Sequence, residues 1–409
     1  MWSEVFFNKV GGFSREVWIS NFAGFSHHLT VGMIHFLPPL YALRLGGSPG
    51  IVGLVAAASS LGGLVLALPG GKVIDRLGAR KAALYAVTLK IMAILLYLVI
   101  ASPIGLTLPS FLTSLFGTMT VLSLQSYVSG LSRGVERARG ISDFAVFSSV
   151  GELAGPLLAG AIADLFGYPM AFLAAASMGT LNLVAVFYFS DTNTTPRVSE
   201  RRKPLRGFRG LLLDRRVQAV LWASCILSSL RSFHRAFLPA LLYEAFSATQ
   251  IGSLFFVAGI ASFLGRSAVR WTVKISPLEK TLPMSLILNA APTILIAVFS
   301  SYAALSGSMF LFGAGNGYVT VVTVVLIAEY VSSGERGLAL GMRLTAMRLG
   351  AFIGQVAFGT FAEMTSVAAA FVGMGTVGLA VGLLLIFLHH TPSSAAYSEE
   401  PDGDSGDIQ

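Results

Sequence analysis

Ionisable side chains inside long apolar stretches are the first feature of this sequence with the makings of chemistry. Glu152 lies in an apolar run at 141–164, Lys90 in one at 82–101, Arg231 and Arg235 in one at 216–243, and Arg343 and Arg348 in one at 336–362. A charge placed in hydrocarbon costs at least about 2.5 kcal/mol, so each is a functional candidate by default. A buried carboxyl that exchanges a proton can carry it, which makes Glu152 the coupling candidate; its alternative is to be the structural partner of a buried arginine. Lys90 is expected to snorkel towards an interface. The run at 17–43 holds Asn21, His27, His28, Thr30 and His35, a dense polar set for a lipid-exposed segment. Imidazoles titrate near neutrality and respond to protons or anions. A metal site does not fit, because adjacent His27 and His28 face different sides of a helix and no carboxylate is spaced with them. The single cysteine, Cys225, excludes an intramolecular disulfide and a cysteine zinc site, and reads as a small buried apolar residue. Neither a metal nor a cofactor is expected.

The elements that must position these groups are long and apolar. Of 409 residues 54% are hydrophobic and 12% charged, against roughly a quarter charged in a soluble globular chain. Runs of about 20 apolar residues match a hydrocarbon layer of roughly 30 Å at 1.5 Å rise per residue. They are too long and too uniformly apolar for the alternating strands of a barrel, so the expected class is all-α integral membrane protein. Apolar runs and Pro/Gly punctuation place spans near 17–43, 50–69, 82–101, 103–130, 141–164 and 169–190, then 216–243, 250–268, 281–300, 302–330, 336–362 and 366–388. Many of the 44 glycines fall inside them, as close helix packing in lipid requires. The first residues lack the order of a cleaved signal, so the first span is expected to direct insertion.

Basic residues mark one side. Lys72, Arg76, Arg80 and Lys81 fall in one alternate connection, Arg133, Arg137 and Arg139 in the next, and Arg266, Arg270, Lys274, Lys280 and Arg336 in later ones. Between the two sets of spans, 191–215 carries seven arginine or lysine residues and reads as a linker. The opposite connections hold little beyond Arg44. Cytoplasmic loops keep positive charge, so both termini and the linker are expected in the cytoplasm of a plasma-membrane protein. The formal charge of +8 is then topology and not nucleic-acid binding. The domains expected are 1–190, the linker 191–215, 216–390, and a disordered acidic tail at 391–409.

The two halves repeat at an offset of 199 residues. Glu136-Arg137 matches Glu335-Arg336; Gly151, Gly155 and Gly160 match Gly350, Gly354 and Gly359; Gly53 matches Gly252 and Lys81 matches Lys280. With a two-residue slip, Phe36-Leu37-Pro38 matches Phe237-Leu238-Pro239. Parallel repeats of this kind build two bundles related by an axis along the membrane normal.

Residues 71–81, from Gly71 through Asp75, Arg76, Gly78 and Arg80 to Lys81, closely resemble the loop motif of the major facilitator superfamily, with Val73 for its leucine and Ala79 displacing one basic position. The resemblance implies twelve transmembrane helices in two pseudo-symmetric six-helix bundles. It also implies a cytoplasmic gate, in which Asp75 latches against span eleven near Arg343. The second-half loop has lost the pattern. Gly151, Gly155, Pro156 and Gly160 resemble the span-five motif of drug/proton antiporters, with Ala159 for one glycine, and the alternative is a generic small-residue face. Span four lacks the arginine that many proton-coupled members carry, and Arg133 near its end is a partial substitute.

In the fold so implied, spans one, four, seven and ten line a cavity. Its expected lining is Asn21, His27, His28 and Thr30, Gln125 and Tyr127, Arg231, His234 and Arg235, and Asn316 with Tyr318. The expected activity is secondary active transport of a small organic solute by alternating access, as ion-coupled export with a proton or other ion. Uptake of a small anionic metabolite and a sensor that binds without moving solute are the alternatives. No nucleotide-binding loop or catalytic triad suggests an enzyme. The chain is expected to work as a monomer in the bilayer.

Overall fold

The computed structural model describes residues 15–67, 69–131, 134–190, 207–332 and 335–390. The linker arginines up to Arg206 and the 391–409 tail lie outside them. Twelve long helices run in chain order: α1 (Arg15–Arg44), α2 (Pro49–Ala67), α3 (Ala79–Val99), α4 (Thr107–Leu131), α5 (Gly134–Phe166), α6 (Tyr168–Phe187), α7 (Arg215–Leu242), α8 (Ala248–Thr272), α9 (Leu278–Val298), α10 (Tyr302–Glu329), α11 (Arg336–Met364) and α12 (Val367–His390). There is no strand among the described residues. Nine of the twelve are long and apolar enough by composition to cross a membrane. The other three, α1, α7 and α11, are the helices enriched in histidine or arginine, so their polarity is the mark of an interior and not of a loop.

Local chemistry sets the boundaries. Ser247 and Gln250 form a reciprocal capping box that opens α8, and Ser301 accepts from the Ala304 N–H to open α10. The motif expected as a loop at 71–81 is in part a short helix, Gly70–Leu77, followed by a turn at Gly78. Gly78 has φ +81° and donates its N–H to the Ile74 carbonyl at 2.8 Å, a left-handed turn that glycine adopts without strain.

Polarity is inverted relative to a water-soluble bundle. Met92, Val99, Leu165 and Phe387 point outward, while Asn21, His27, Lys90, Asn182, His234, Asn289 and Arg343 are buried. Lipid solvates the first set, and the second must find partners between helices.

The helix pairings repeat across the halves. The α1–α5 contact has its equivalent in α7–α11, α2–α4 in α8–α10, and α3–α6 in α9–α12. Two six-helix bundles result, and the main contacts between them are α2 with α11 and α5 with α8. These interfaces are equivalent under the same repeat. Gly53 on α2 backs onto Gly359 on α11, where an added Cβ would come 2.8 Å from the facing Cα. At the positions 199 residues away, Gly252 on α8 meets the Pro156 carbonyl of α5, and Gly160 meets the Ala248 carbonyl. All four glycines sit near the connections that carry few basic residues, termed here the acidic end.

Gly252→Leu is therefore expected to wedge α8 off α5 and destabilise the fold by about 1–3 kcal/mol. Gly71→Ala, whose added Cβ meets nothing within 4 Å, is expected to leave stability unchanged. Thermal unfolding of both variants in detergent checks this, and equal behaviour would contradict the packing.

Candidate transport cavity

A central cavity lies between the bundles in two adjoining lobes of about 340 and 650 Å³. His35, Glu152, Arg231 and Arg235 line both. The smaller lobe is rich in hydroxyls, with Ser60, Ser110, Thr113, Ser228 and Ser232 beside Arg348. The larger is mainly apolar, walled by Phe36, Phe255, Met309 and Phe312, and it extends to Ser142 and Arg266 towards the basic loops. Ser228, Arg231, Ser232 and Arg235 recur at three- and four-residue spacing, so α7 turns one face to the cavity.

The charges there do not balance. Arg235 Nη2 donates to Glu152 Oε1 at 2.5 Å, and its Nη1 donates to His35 Nδ1 at 3.3 Å. Glu152 is thus the partner of a half-buried arginine. Arg231 and Arg348 are half-buried and have no hydrogen bond or ion pair to any described residue. Arg348 reaches across to α2, where a side chain at Gly63 would strike its guanidinium.

The expected lining residues divide. Arg231, His234, Arg235 and Asn316 line the cavity. His234 stacks on Phe312 at 3.8 Å, and its Nδ1 donates to the Leu230 carbonyl at 2.8 Å. His27, Asn21 and Thr30 are buried inside the amino-terminal bundle; Thr30 donates to the Ser26 carbonyl, and the Asn21 amide has no partner among the described residues. His28 stands beside His27, ring edge to face at 5.1 Å. Gln125 is exposed on α4, while Tyr127 stacks on Phe189 and accepts the Ser190 N–H at 3.1 Å, within one bundle. Of the span-five residues, Gly151 and Gly155 face α1, at Phe25 and Gly32; the Pro156 ring also lies against Gly32 while its carbonyl meets Gly252 of α8, and Gly160 faces α8.

At the basic-loop end no hydrogen bond or ion pair among the described residues joins the bundles. Asp75 and Arg76 are exposed, and Asp75 makes no hydrogen bond or ion pair with a described residue. Gly71 has open space around it, and Arg80 donates to the Phe187 carbonyl of its own bundle at 2.9 Å. Arg343 does not cross the cleft; it donates to Thr323 Oγ1 at 2.9 and 3.1 Å and to the Thr320 carbonyl, all on α10.

At the acidic end two carboxylates close the structure. Asp164, near the end of α5, accepts from the N–H groups of Ala248 and Thr249 at 3.1 and 2.7 Å, and from the Thr249 hydroxyl. Glu363, near the end of α11, accepts from the Gly50 N–H at 2.7 Å. Each carboxylate satisfies free donors in the first turn of the facing helix and sits at the positive pole of its dipole. Asp164 and Glu363 are 199 residues apart, as are Gly50 and Thr249, so the two latches are copies. The other hydrogen bonds between bundles among the described residues are Ser60 with Gln355 and the Arg235 pair, at mid-membrane. Among the described residues, the cavity extends towards the basic loops and is closed by the latches at the other end. The 199-residue offset contains the latches, but in the sequence alone acids at span ends look like loop chemistry.

A sequence model described as Major Facilitator Superfamily matches residues 21–278 and again 220–405, with starting points that differ by the same 199 residues. The chain belongs to the major facilitator superfamily. It is 19% identical over 401 residues to an MFS-type transporter of Methanocaldococcus jannaschii, covering 92% of this chain and 98% of that one. Among solved structures it is similar to the nucleoside transporter NupG, at a TM-score of 0.80 and 12% identity over 93% of this chain and all of that one. It is also similar to a POT family transporter bound to a thioalcohol-conjugated peptide, at 0.78 and 14% identity over 93% and 97%. The chain is thus a multi-pass membrane transporter of this superfamily, with its fold.

Loss of either latch should loosen the acidic end. In a Cys225→Ser background with Ala56→Cys as the reporter, Asp164→Ala and Glu363→Ala are each expected to raise maleimide labelling from the acidic-end side, and the pair to raise it further. Labelling equal to the parent in all three would contradict the latch assignment.

Proposed function

We propose that this major facilitator superfamily chain moves a small amphipathic organic anion across the membrane by alternating access. One observation carries the reading: three arginines, Arg231, Arg235 and Arg348, share the smaller lobe with a single carboxylate, Glu152, and that carboxylate is already held by Arg235. Desolvated guanidinium groups are costly without a counter-ion, and planar N–H forks suit carboxylate, sulfonate or phosphate oxygens. The adjoining phenylalanine-walled lobe suits an apolar body. A solute with one anionic head and one apolar end fits both lobes together.

The basic loops support placing the open side of the cavity in the cytoplasm. Asp75 and Arg76 then belong to the gate of the opposite state, in which the basic ends meet and the acidic-end latches release. The resemblance of Gly151, Gly155, Pro156 and Gly160 to the antiporter motif supports export as a second reading of direction.

The binding test uses 3-phenylpropanesulfonate, which stays anionic at all working pH values, against neutral 3-phenylpropanesulfonamide and cationic 3-phenylpropylammonium. The anion alone is expected to raise the melting temperature of the purified protein, since binding to the folded state shifts unfolding by mass action. Arg231→Gln should weaken that binding about tenfold or more, the loss of a charge-assisted hydrogen bond worth roughly 1.5–3 kcal/mol. Stabilisation by the ammonium compound and not by the sulfonate would overturn the reading.

A further inference from the structure

One ionisable pair stands apart from the cavity. Lys90 on α3 is 2% exposed, His27 on α1 is 1% exposed, and Lys90 Nζ lies 3.1 Å from His27 Nδ1. Neither side chain lines the cavity, and no carboxylate among the described residues pairs with Lys90. The amine does not snorkel. Lys90 is near the middle of α3, about 14–16 Å from either end at 1.5 Å per residue, beyond the reach of its stem, and its neighbours Leu89 and Met92 take the lipid-facing side.

Two bases joined by a hydrogen bond in a low dielectric hold at most one net charge, because an ammonium and an imidazolium in contact would repel strongly. In the neutral state the amine donates one N–H to the imidazole nitrogen. Adding one proton makes the donor an ammonium and leaves that bond in place. The pair can therefore load and unload a single proton without rearranging its partners, which the Glu152–Arg235 ion pair cannot do without separating.

We infer that Lys90 and His27 form the coupling-proton site of this transporter. The inference rests on the transport reading above and adds to it the place where the proton is carried. Helix α1 links the pair to the cavity. His28 adjoins His27, Gly32 one turn further on packs against the Glu152 carbonyl on α5, and His35 accepts from Arg235 on α7. The ionisable groups that face the pair are His28 and His35 from α1; Glu152 from α5 and Arg235 from α7 face His28 in turn. Helices α4 and α6 carry no charged or histidine side chain. A proton on the pair adds positive charge beside a cavity already rich in arginine, and a bound anion neutralises it, so proton and anion load together.

Proteoliposomes with 3-phenylpropanesulfonate outside and a pH dye inside separate the parts of this account. With one unit of inward pH gradient and one proton per anion, the wild type is expected to accumulate the sulfonate about tenfold and acidify the lumen. It should also show counterflow at equal pH. Lys90→Met, which cannot take a proton, and Lys90→Arg, which does not release one, are both expected to keep counterflow within about twofold and to lose accumulation and acidification. Gradient-driven accumulation in either folded variant would overturn the coupling site. Loss of counterflow as well, in variants that elute and melt like the parent, would make the pair structural and overturn it too. Absence of counterflow in the wild type would instead contradict the transport reading itself.

Discussion

A carboxylate set on the first turn of a helix satisfies donors that the helix cannot satisfy for itself, and here two such contacts hold the bundles together at one end. Asp164 does this for α8 and Glu363 for α2. Without them, the glycine-lined approaches of α2 to α11 and of α5 to α8 would rest on packing and, between α2 and α11, on the Ser60–Gln355 hydrogen bond, and packing between helices in lipid has little hydrophobic drive. Because both latches lie at the same end, the cavity opens at the other. They are also reversible in the sense that transport needs: hydrogen bonds to backbone amides at a membrane surface can exchange for water, so the joint is firm without being permanent.

The cavity shows the complementary constraint. Hydrocarbon admits charge only where something answers it, yet α7 and α11 bring three guanidiniums to mid-membrane and α5 brings one carboxylate. Arg343 is answered by hydroxyl and carbonyl oxygens on α10, and Arg235 by Glu152 and His35. Arg231 and Arg348 have no such answer among the described residues. The same sorting distinguishes Lys90, whose answer is another base and not an acid, from the arginines of the cavity.

Much of this fold is legible in the sequence because lipid enforces a simple code. Span lengths follow from hydrophobic thickness, and the 199-residue repeat, visible in glycines and Glu-Arg pairs, carries the bundle pairing. Helix phase is less legible. Gln125 and Tyr127 are polar residues on an apolar span, but one turns outward and the other locks inside its own bundle, and composition does not say which. His27 and Thr30, expected to face the cavity, lie behind it. Lys90, expected to snorkel, sits too deep to do so. The motif at 71–81 resembles a gate motif, yet its aspartate meets no described residue here. A motif names a contact without saying in which conformation it forms.

The central claim is that the two acid latches set which end is open. Spin labels placed across α2–α11 and α5–α8 at the acidic end, and across the same helix pairs at the basic end, allow distance distributions to be measured in nanodiscs. In the parent the account predicts a short, narrow acidic-end distance and a long basic-end distance; in the Asp164→Ala, Glu363→Ala double variant it predicts that the acidic-end distance broadens and lengthens while the basic-end distance shortens. Distributions that do not change at either end when both carboxylates are removed would contradict it.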